Sequence, residues 1–312
     1  MNINNNFTPL AWHQGDIELQ SNRATYAFGH IVPLMAHRQT LLPFQIITET
    51  GAVDMSNYTV ALYNVDGTVK VADTGLTLVK LHIVVRPADQ QQGVDEIGYD
   101  VLIYNGDALD EALPMGQYYL VLTSGQNAWY SDVVTIVVNT LTMTRIEWWD
   151  ERDLVFPAGR IVYRYISGGQ TVQYKNRMYF LEEIGMPEYP LEEEGDTRDG
   201  LFYAIKVLSG KKYKMQIAQL TEAMCDALRF VHLSDNVQVR DGYGRMYYCD
   251  SVLVTPEWQT GAVASASVEI VTDTFVKQVG GGYVGDSPVV EGATGVIGQA
   301  VIGDTFVIGA GS

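Results

Sequence analysis

The sequence predicts a mainly β fold, on three observations. Apolar and polar residues alternate in short runs such as Tyr58-Thr-Val-Ala-Leu-Tyr63, the period of a strand with one buried face. Turn signals rich in Gly, Asn, Asp and Pro separate these runs at intervals of about 8–15 residues. Helical spacing occurs in one window, where Ala223, Met224, Ala227, Leu228 and Val231 form a single apolar stripe.

Taken in order, residues 1–33 open Asn-rich, show no sustained period and end at Pro33, which predicts an N-terminal arm in contact with a neighbour. The β pattern begins at Leu41. Tyr58 to Tyr63 and Thr68 to Val71 flank Asn64-Val-Asp66-Gly67, a hairpin turn with glycine in the left-handed region. Longer strands follow at Leu76 to Arg86, Ile97 to Tyr104 and Gln117 to Thr123, and the last turns through Ser124-Gly125-Gln126-Asn127 into Ala128 to Val138. This rhythm predicts an immunoglobulin-like β-sandwich over residues 34–140. It lacks a Cys…Trp…Cys framework, which a sandwich folded in a reducing compartment does not need.

The hydrophobic pattern restarts after Thr140-Leu-Thr-Met-Thr144, so a second domain is predicted over 141–280, with the boundary near Thr140 to Arg145. Its strands are expected near Gly159 to Ile166, Val172 to Phe180, Leu201 to Leu208, Tyr213 to Ile217, Val237 to Val239, Arg245 to Val254 and Val263 to Val279. The one helix, N-capped by Thr221, should lid the sheet. This is an antiparallel α+β arrangement.

Residues 281–312 form an extended Gly-rich tail. Val284-Gly-Asp-Ser-Pro-Val-Val290 returns as Ile302-Gly-Asp-Thr-Phe-Val-Ile308, with Val296-Ile297-Gly298 between them. Such a segment cannot close a core alone but forms a strand when given an edge. Val289, Val290, Val296, Ile297, Ile302, Val307 and Ile308 are therefore subunit-contact candidates, expected to complete a sheet of a neighbouring chain.

Composition limits the function. The net charge is −17, with five basic against fourteen acidic residues over 1–140. A field of that sign repels phosphate backbones and anionic headgroups, so no sequence-specific nucleic acid and no membrane insertion are expected. Met1 to Phe7 lacks a signal-peptide pattern and no apolar run reaches the roughly 18 residues of a span, which predicts cytoplasmic synthesis. Cys225 and Cys249, without CxxC or zinc spacing, are expected as free buried thiols.

No motif predicts catalysis, a metal or a cofactor. Gly280-Gly-Gly-Tyr-Val-Gly285 matches GxGxxG in letters, but Pro288 and further glycines stand where a helix must follow. Ser287 lacks a nucleophile elbow. The five histidines, at 13, 30, 37, 82 and 232, have no ligand spacing. Glu182 and Glu183 sit beside a turn and Glu188 six residues on, a spacing that does not set any pair at the roughly 5–9.5 Å that glycosidase carboxylates require. Glu192 to Gly200 invites a calcium reading, yet Arg198 sits within the ligand ladder and the closing Glu is missing. It is expected instead as an exposed acidic loop whose Glu192, Glu193 and Glu194 meet a basic surface in an assembly. In Trp129-Tyr130 and Trp148-Trp149 strand alternation sends at least one ring of each pair to the core.

Two sets of residues carry a resemblance. Gln117-Tyr-Tyr-Leu-Val-Leu-Thr-Ser-Gly-Gln-Asn-Ala-Trp-Tyr-Ser131 is one. Tyr174-Lys-Asn-Arg-Met-Tyr179, Glu188-Tyr-Pro-Leu-Glu-Glu-Glu-Gly195, Arg198-Asp-Gly200, Cys225-Asp-Ala-Leu-Arg229 and Thr255-Pro-Glu-Trp258 are the other. They resemble structural proteins of phages and prophages of Bacteroidales hosts, crAss-like phages among them, over roughly residues 40–278. The resemblance implies a non-enzymatic virion protein, a tail, neck or baseplate ring component. Its partners would be copies of itself and other virion proteins. A receptor- or glycan-binding module of a phage tail or capsid is the alternative. The Gly-rich tail lies outside the resemblance.

Overall fold

The computed structural model describes residues 8–13, 34–50, 57–65, 70–76, 78–85, 97–125, 127–156, 159–198, 200–258, 264–278, 295–297 and 300–302. The fold is mainly β. Residues 8–137 supply β1 (Trp12–His13), β2 (Met35–His37), β3 (Phe44–Glu49), β4 (Thr59–Asn64), β5 (Lys70–Asp73), β6 (Val79–Val85), β7 (Ile97–Tyr104), β8 (Gly116–Ser124), β9 (Asn127–Ser131) and β10 (Val134–Val137). One sheet centres on β8. On one side β8 pairs with β4, which pairs in turn with β5. On the other it pairs with β10 at its start and with β9 at its end. Beyond these lie β1, antiparallel to β9, and β2, parallel to β10. The second sheet runs β3-β7-β6.

Alternation gives both sheets an apolar face, and the two faces join one cluster: Phe44, Ile46, Val101 and Ile103 from one, Leu62, Leu120, Leu122 and Trp129 from the other. Each such side chain contributes roughly 1.5–3 kcal/mol by burial. The segment expected as a neighbour-seeking arm is corrected here over residues 8–13. Leu10, Ala11 and Trp12 are buried in the chain's own core, with the Trp12 ring 4.8 Å from that of Phe44. A two-residue strand is too short to show a period, and its partner β9 lies more than a hundred residues away.

The run expected as one strand, Ala128 to Val138, breaks between β9 and β10 because its two halves take different partners. At the break Asp132 N donates to Ala11 O at 2.9 Å and Thr135 N to Leu34 O at 2.8 Å. The Ser131 hydroxyl accepts the Leu120 N–H at 2.8 Å, which the jog would otherwise orphan.

Residues 144–302 supply β11 (Thr144–Trp149), β12 (Leu154–Phe156), β13 (Gly159–Ile161), β14 (Arg164–Ser167), β15 (Gln170–Gln173), β16 (Asn176–Phe180), β17 (Leu191–Arg198), β18 (Leu201–Leu220), α1 (Glu222–Leu228), β19 (Asn236–Arg240), β20 (Met246–Cys249), β21 (Ser251–Trp258), β22 (Ala264–Gln278), β23 (Gly295–Ile297) and β24 (Ala300–Ile302). One antiparallel sheet runs β16-β11-β19-β20. The larger one runs β17-β18-β22-β23-β24, with β21 also on β22. Two short hairpins, β12–β13 and β14–β15, complete the half. As the stripe predicted, Met224, Ala227 and Leu228 of α1 are buried, and the Thr221 side chain accepts the Met224 N–H at 3.1 Å.

Two expectations fail at β17 and β18. Leu201 to Leu208 and Tyr213 to Ile217 are one strand of 20 residues, because a register shift between Ser209 and Lys211 absorbs the turn-like Ser-Gly-Lys-Lys. The acidic stretch from Glu192 is not a loop but β17, paired antiparallel with β18 with a register shift between Glu194 and Gly195. Gly200, at φ +76°, closes the hairpin between Arg198 and Leu201. Glu, Gly and Asp are poor strand formers, and pairing overrides that preference.

Among the described residues no sheet mixes the two halves, yet they are joined by buried hydrogen bonds. The Gln45 side chain acts as a strand rung, its Nε2 donating to Val162 O at 2.6 Å and its Oε1 accepting the Val162 N–H at 3.1 Å. The connecting segment is pinned from the other side, for a Cβ on Gly242 would lie 2.6 Å from Thr142 O.

Candidate assembly surfaces

Leu191, Glu192 and Glu193 are consecutive and all exposed. Successive strand residues face opposite sides, so neither face of β17 is covered here. Among the β18 residues whose exposure is described, the buried ones are Tyr213, Met215, Ile217 and Leu220, toward its other end. At about 3.3 Å per residue β18 spans roughly 65 Å, and it pairs with β17 over Leu201 to Ser209, the end away from Leu220.

The segment before β17 follows the same edge of β18. Gly185 N donates to Lys214 O at 2.8 Å, and Glu188 and Lys212 exchange backbone bonds at 2.7 and 2.8 Å. Glu188 Oε1 also takes Lys214 Nζ at 2.9 Å, and that charged hydrogen bond holds its carboxyl below the usual range. Apolar side chains nonetheless face solvent along this edge: Met186 is 89% exposed, Tyr189 70% and Leu191 62%. The exposed acids Glu192 and Glu193 therefore continue an apolar run, a combination the sequence reading missed. The Asp199-Gly200 dipeptide, a hairpin signal before the apolar Leu201-Phe-Tyr-Ala-Ile205, was the available clue.

Of the tail candidates, Val296 and Ile297 fall in β23 and Ile302 in β24. Val289, Val290, Val307 and Ile308 lie outside the described residues. The tail was expected to join a neighbour's sheet. The edge that receives β23 is the chain's own, since Phe275 to Lys277 of β22 pair with Ile297 to Gly295. β24 then folds back on β23.

The remaining candidates have structural work. Glu182 Oε1 accepts the Ala218 N–H at 2.9 Å. His13 Nε2 meets Asp132 Oδ1 at 2.9 Å and His82 Nδ1 meets Asp100 Oδ1 at 3.1 Å. Trp129 and Trp148 are fully buried, while Trp149 lies under Lys175 Nζ, 3.9 Å from its ring centroid. Cys225 and Cys249 are free, and burial pushes their thiols up to about 11 and about 12. Among the described residues no group of three His, Cys, Asp or Glu is placed to hold a metal, and no helix is long and apolar enough to cross a membrane. Ser287 and Gly280 to Gly285 lie outside the described residues.

Sequence reading also missed two ion pairs built on buried carboxylates, Glu147 and Asp241. Glu147 takes Arg177 Nε at 2.6 Å and Arg145 Nη2 at 3.2 Å. Asp241 accepts the Tyr243 and Arg245 N–H groups, Arg245 Nε at 2.6 Å and the Tyr247 hydroxyl at 3.1 Å. The first bridges β11 and β16, and the second braces the turn between β19 and β20.

No protein-family model and no curated protein matches this chain.

Proposed function

We propose that the chain is a structural subunit of a bacteriophage virion, a ring-forming component of the tail, neck or baseplate that works by oligomeric assembly rather than by catalysis. The observation that carries this reading is β17, an edge strand whose consecutive Leu191, Glu192 and Glu193 are exposed on both faces, with Met186 and Tyr189 exposed beside it. A lone chain gains nothing from exposing Met186, Tyr189 and Leu191, whereas a neighbour that covers them supplies the missing burial. The resemblance to phage structural proteins supplies the setting, and with it virion localisation after synthesis in the host cytoplasm.

The N-terminal half is read as an immunoglobulin-like sandwich. Its sheets run β3-β7-β6 and β5-β4-β8-β9/β10, with β2 parallel to β10 at the edge. Tyr118, near the start of β8, donates its hydroxyl back to Met115 O at 3.0 Å, in the manner of the tyrosine corner of such domains. The second half is a separate α+β domain on this reading, docked through Gln45 and Val162. Ring assembly is tested on the purified full chain by mass photometry and negative-stain imaging. Closed rings of one size are expected; a monomer at every concentration would overturn the proposal.

A further inference from the structure

Where β18 pairs with β17, the larger sheet forms a five-stranded patch with matched rows. Glu192 pairs with Leu208, Leu208 with Val276, Val276 with Val296 and Val296 with Val301. The next row is Glu193, Val207, Lys277, Gly295 and Ile302. The patch therefore has two edges at one level, β17 and β24, and among the described residues neither has a second strand partner. Because every pairing in it is antiparallel, five strands in succession bring β17 and β24 to the same direction.

The two edges differ in charge. Glu192, Glu193 and Glu194 line β17, whereas residues 295–302 contain no charged residue. Pairing β17 with a second β17 across a twofold axis sets these carboxylates against each other in a chain already at −17. Pairing β24 with a second β24 avoids that but leaves Met186, Tyr189 and Leu191 bare. Joining β24 of one copy to β17 of the next satisfies both edges with one contact and buries the apolar run beside β17. Such a head-to-tail contact repeats until it closes.

We propose that β24 of each copy pairs with β17 of the next, so that the sheet continues from subunit to subunit, with the Glu192–Glu194 acids acting to reject the twofold alternative. This rests on the ring reading above and names its interface. The partner is a second copy of this chain.

The test uses full-length protein carrying Glu193→Cys and Val301→Cys, treated with a short bis-maleimide. The double variant is expected to give a ladder of covalent dimers, trimers and higher species, ending at the ring number, while each single variant gives none. The single variants also report any reaction of Cys225 and Cys249. Dimers from Glu193→Cys alone would mean β17–β17 pairing, and dimers from Val301→Cys alone β24–β24 pairing; either overturns the proposal. Rings without a ladder overturn it and leave the ring reading intact, whereas a wild-type monomer removes both. As a second arm, Val301→Pro deletes a backbone donor at the edge and is expected to shift rings to monomers without lowering the melting temperature; unchanged rings would count against β24.

Discussion

The two ends of β18 meet different surroundings. Near Leu220 its residues Tyr213, Met215 and Ile217 are buried. Toward Leu201 it pairs with β17, of which Leu191, Glu192, Glu193, Gly195 and Thr197 are exposed. A strand is stable alone only while something covers a face, so the first end is complete within the chain, and on the assembly proposal the second is where a neighbour binds.

The largest break in that comparison comes from cutting each end in turn. Met215→Ala removes a fully buried side chain and should cost about 2–5 kcal/mol in urea unfolding. Leu191→Ala should leave the unfolding midpoint unchanged and weaken assembly instead. Equal losses of stability at both sites would show that the distal end is covered within the chain.

A smaller effect is expected where the halves meet. Gln45→Ala leaves the buried N–H and C=O of Val162 without partners, at a cost of about 2 kcal/mol. Calorimetry should show one transition splitting into two as the halves uncouple. A single unshifted transition would mean that Gln45 is not what joins them.

How much of this was legible depended on range. The β7 bounds, the β4–β5 hairpin and the Thr221 cap were readable because each depends on neighbours within a few residues. The burial of Trp12 was not, since its partner β9 is remote. β17 was hidden for a related reason: its composition argues against a strand, and only the facing β18 makes it one. The candidate Glu192, Glu193 and Glu194 were visible as an acidic cluster, but that they line a sheet edge beside exposed Met186 and Tyr189 was not. The Gln45 rung had no signal at all, for a glutamine in a strand looks the same whether it meets water or a backbone.

The core end should also carry an acid-sensitive term at Asp241. Burial alone would raise the Asp241 carboxyl; the Arg245 N–H, its guanidinium and the Tyr247 hydroxyl outweigh that and hold it below the usual range. A depressed folded value contributes stability above the ordinary carboxylate pKa of about 3.9, and this is lost as pH falls from there through the folded value. Asp241→Asn should therefore lower the urea midpoint at pH 7 and flatten the wild-type decline between pH 4 and pH 2. An unaltered acid limb would assign the decline to other carboxylates.

The smallest effect on folding, and the sharpest on the distal end, is expected from Glu192→Ser, Glu193→Ser and Glu194→Ser combined. These side chains line an edge strand outside the core, so their removal should leave the melting temperature unchanged. What they govern is the choice of neighbour. With the carboxylates present, like charge opposes the approach of two β17 edges, and the effect weakens as salt screens it over about 8 Å at physiological ionic strength. Without them that approach is open, and rings should be joined by dimers and larger irregular species, most visibly at low salt where the wild type is most selective. Mass photometry resolves these populations. A loss of all assembly would mean instead that the acids bind a basic surface, as their charge first suggested. An unchanged ring population at every salt concentration would mean that they are merely solvated, and that the bareness of β24 and the apolar run beside β17 decide the contact unaided.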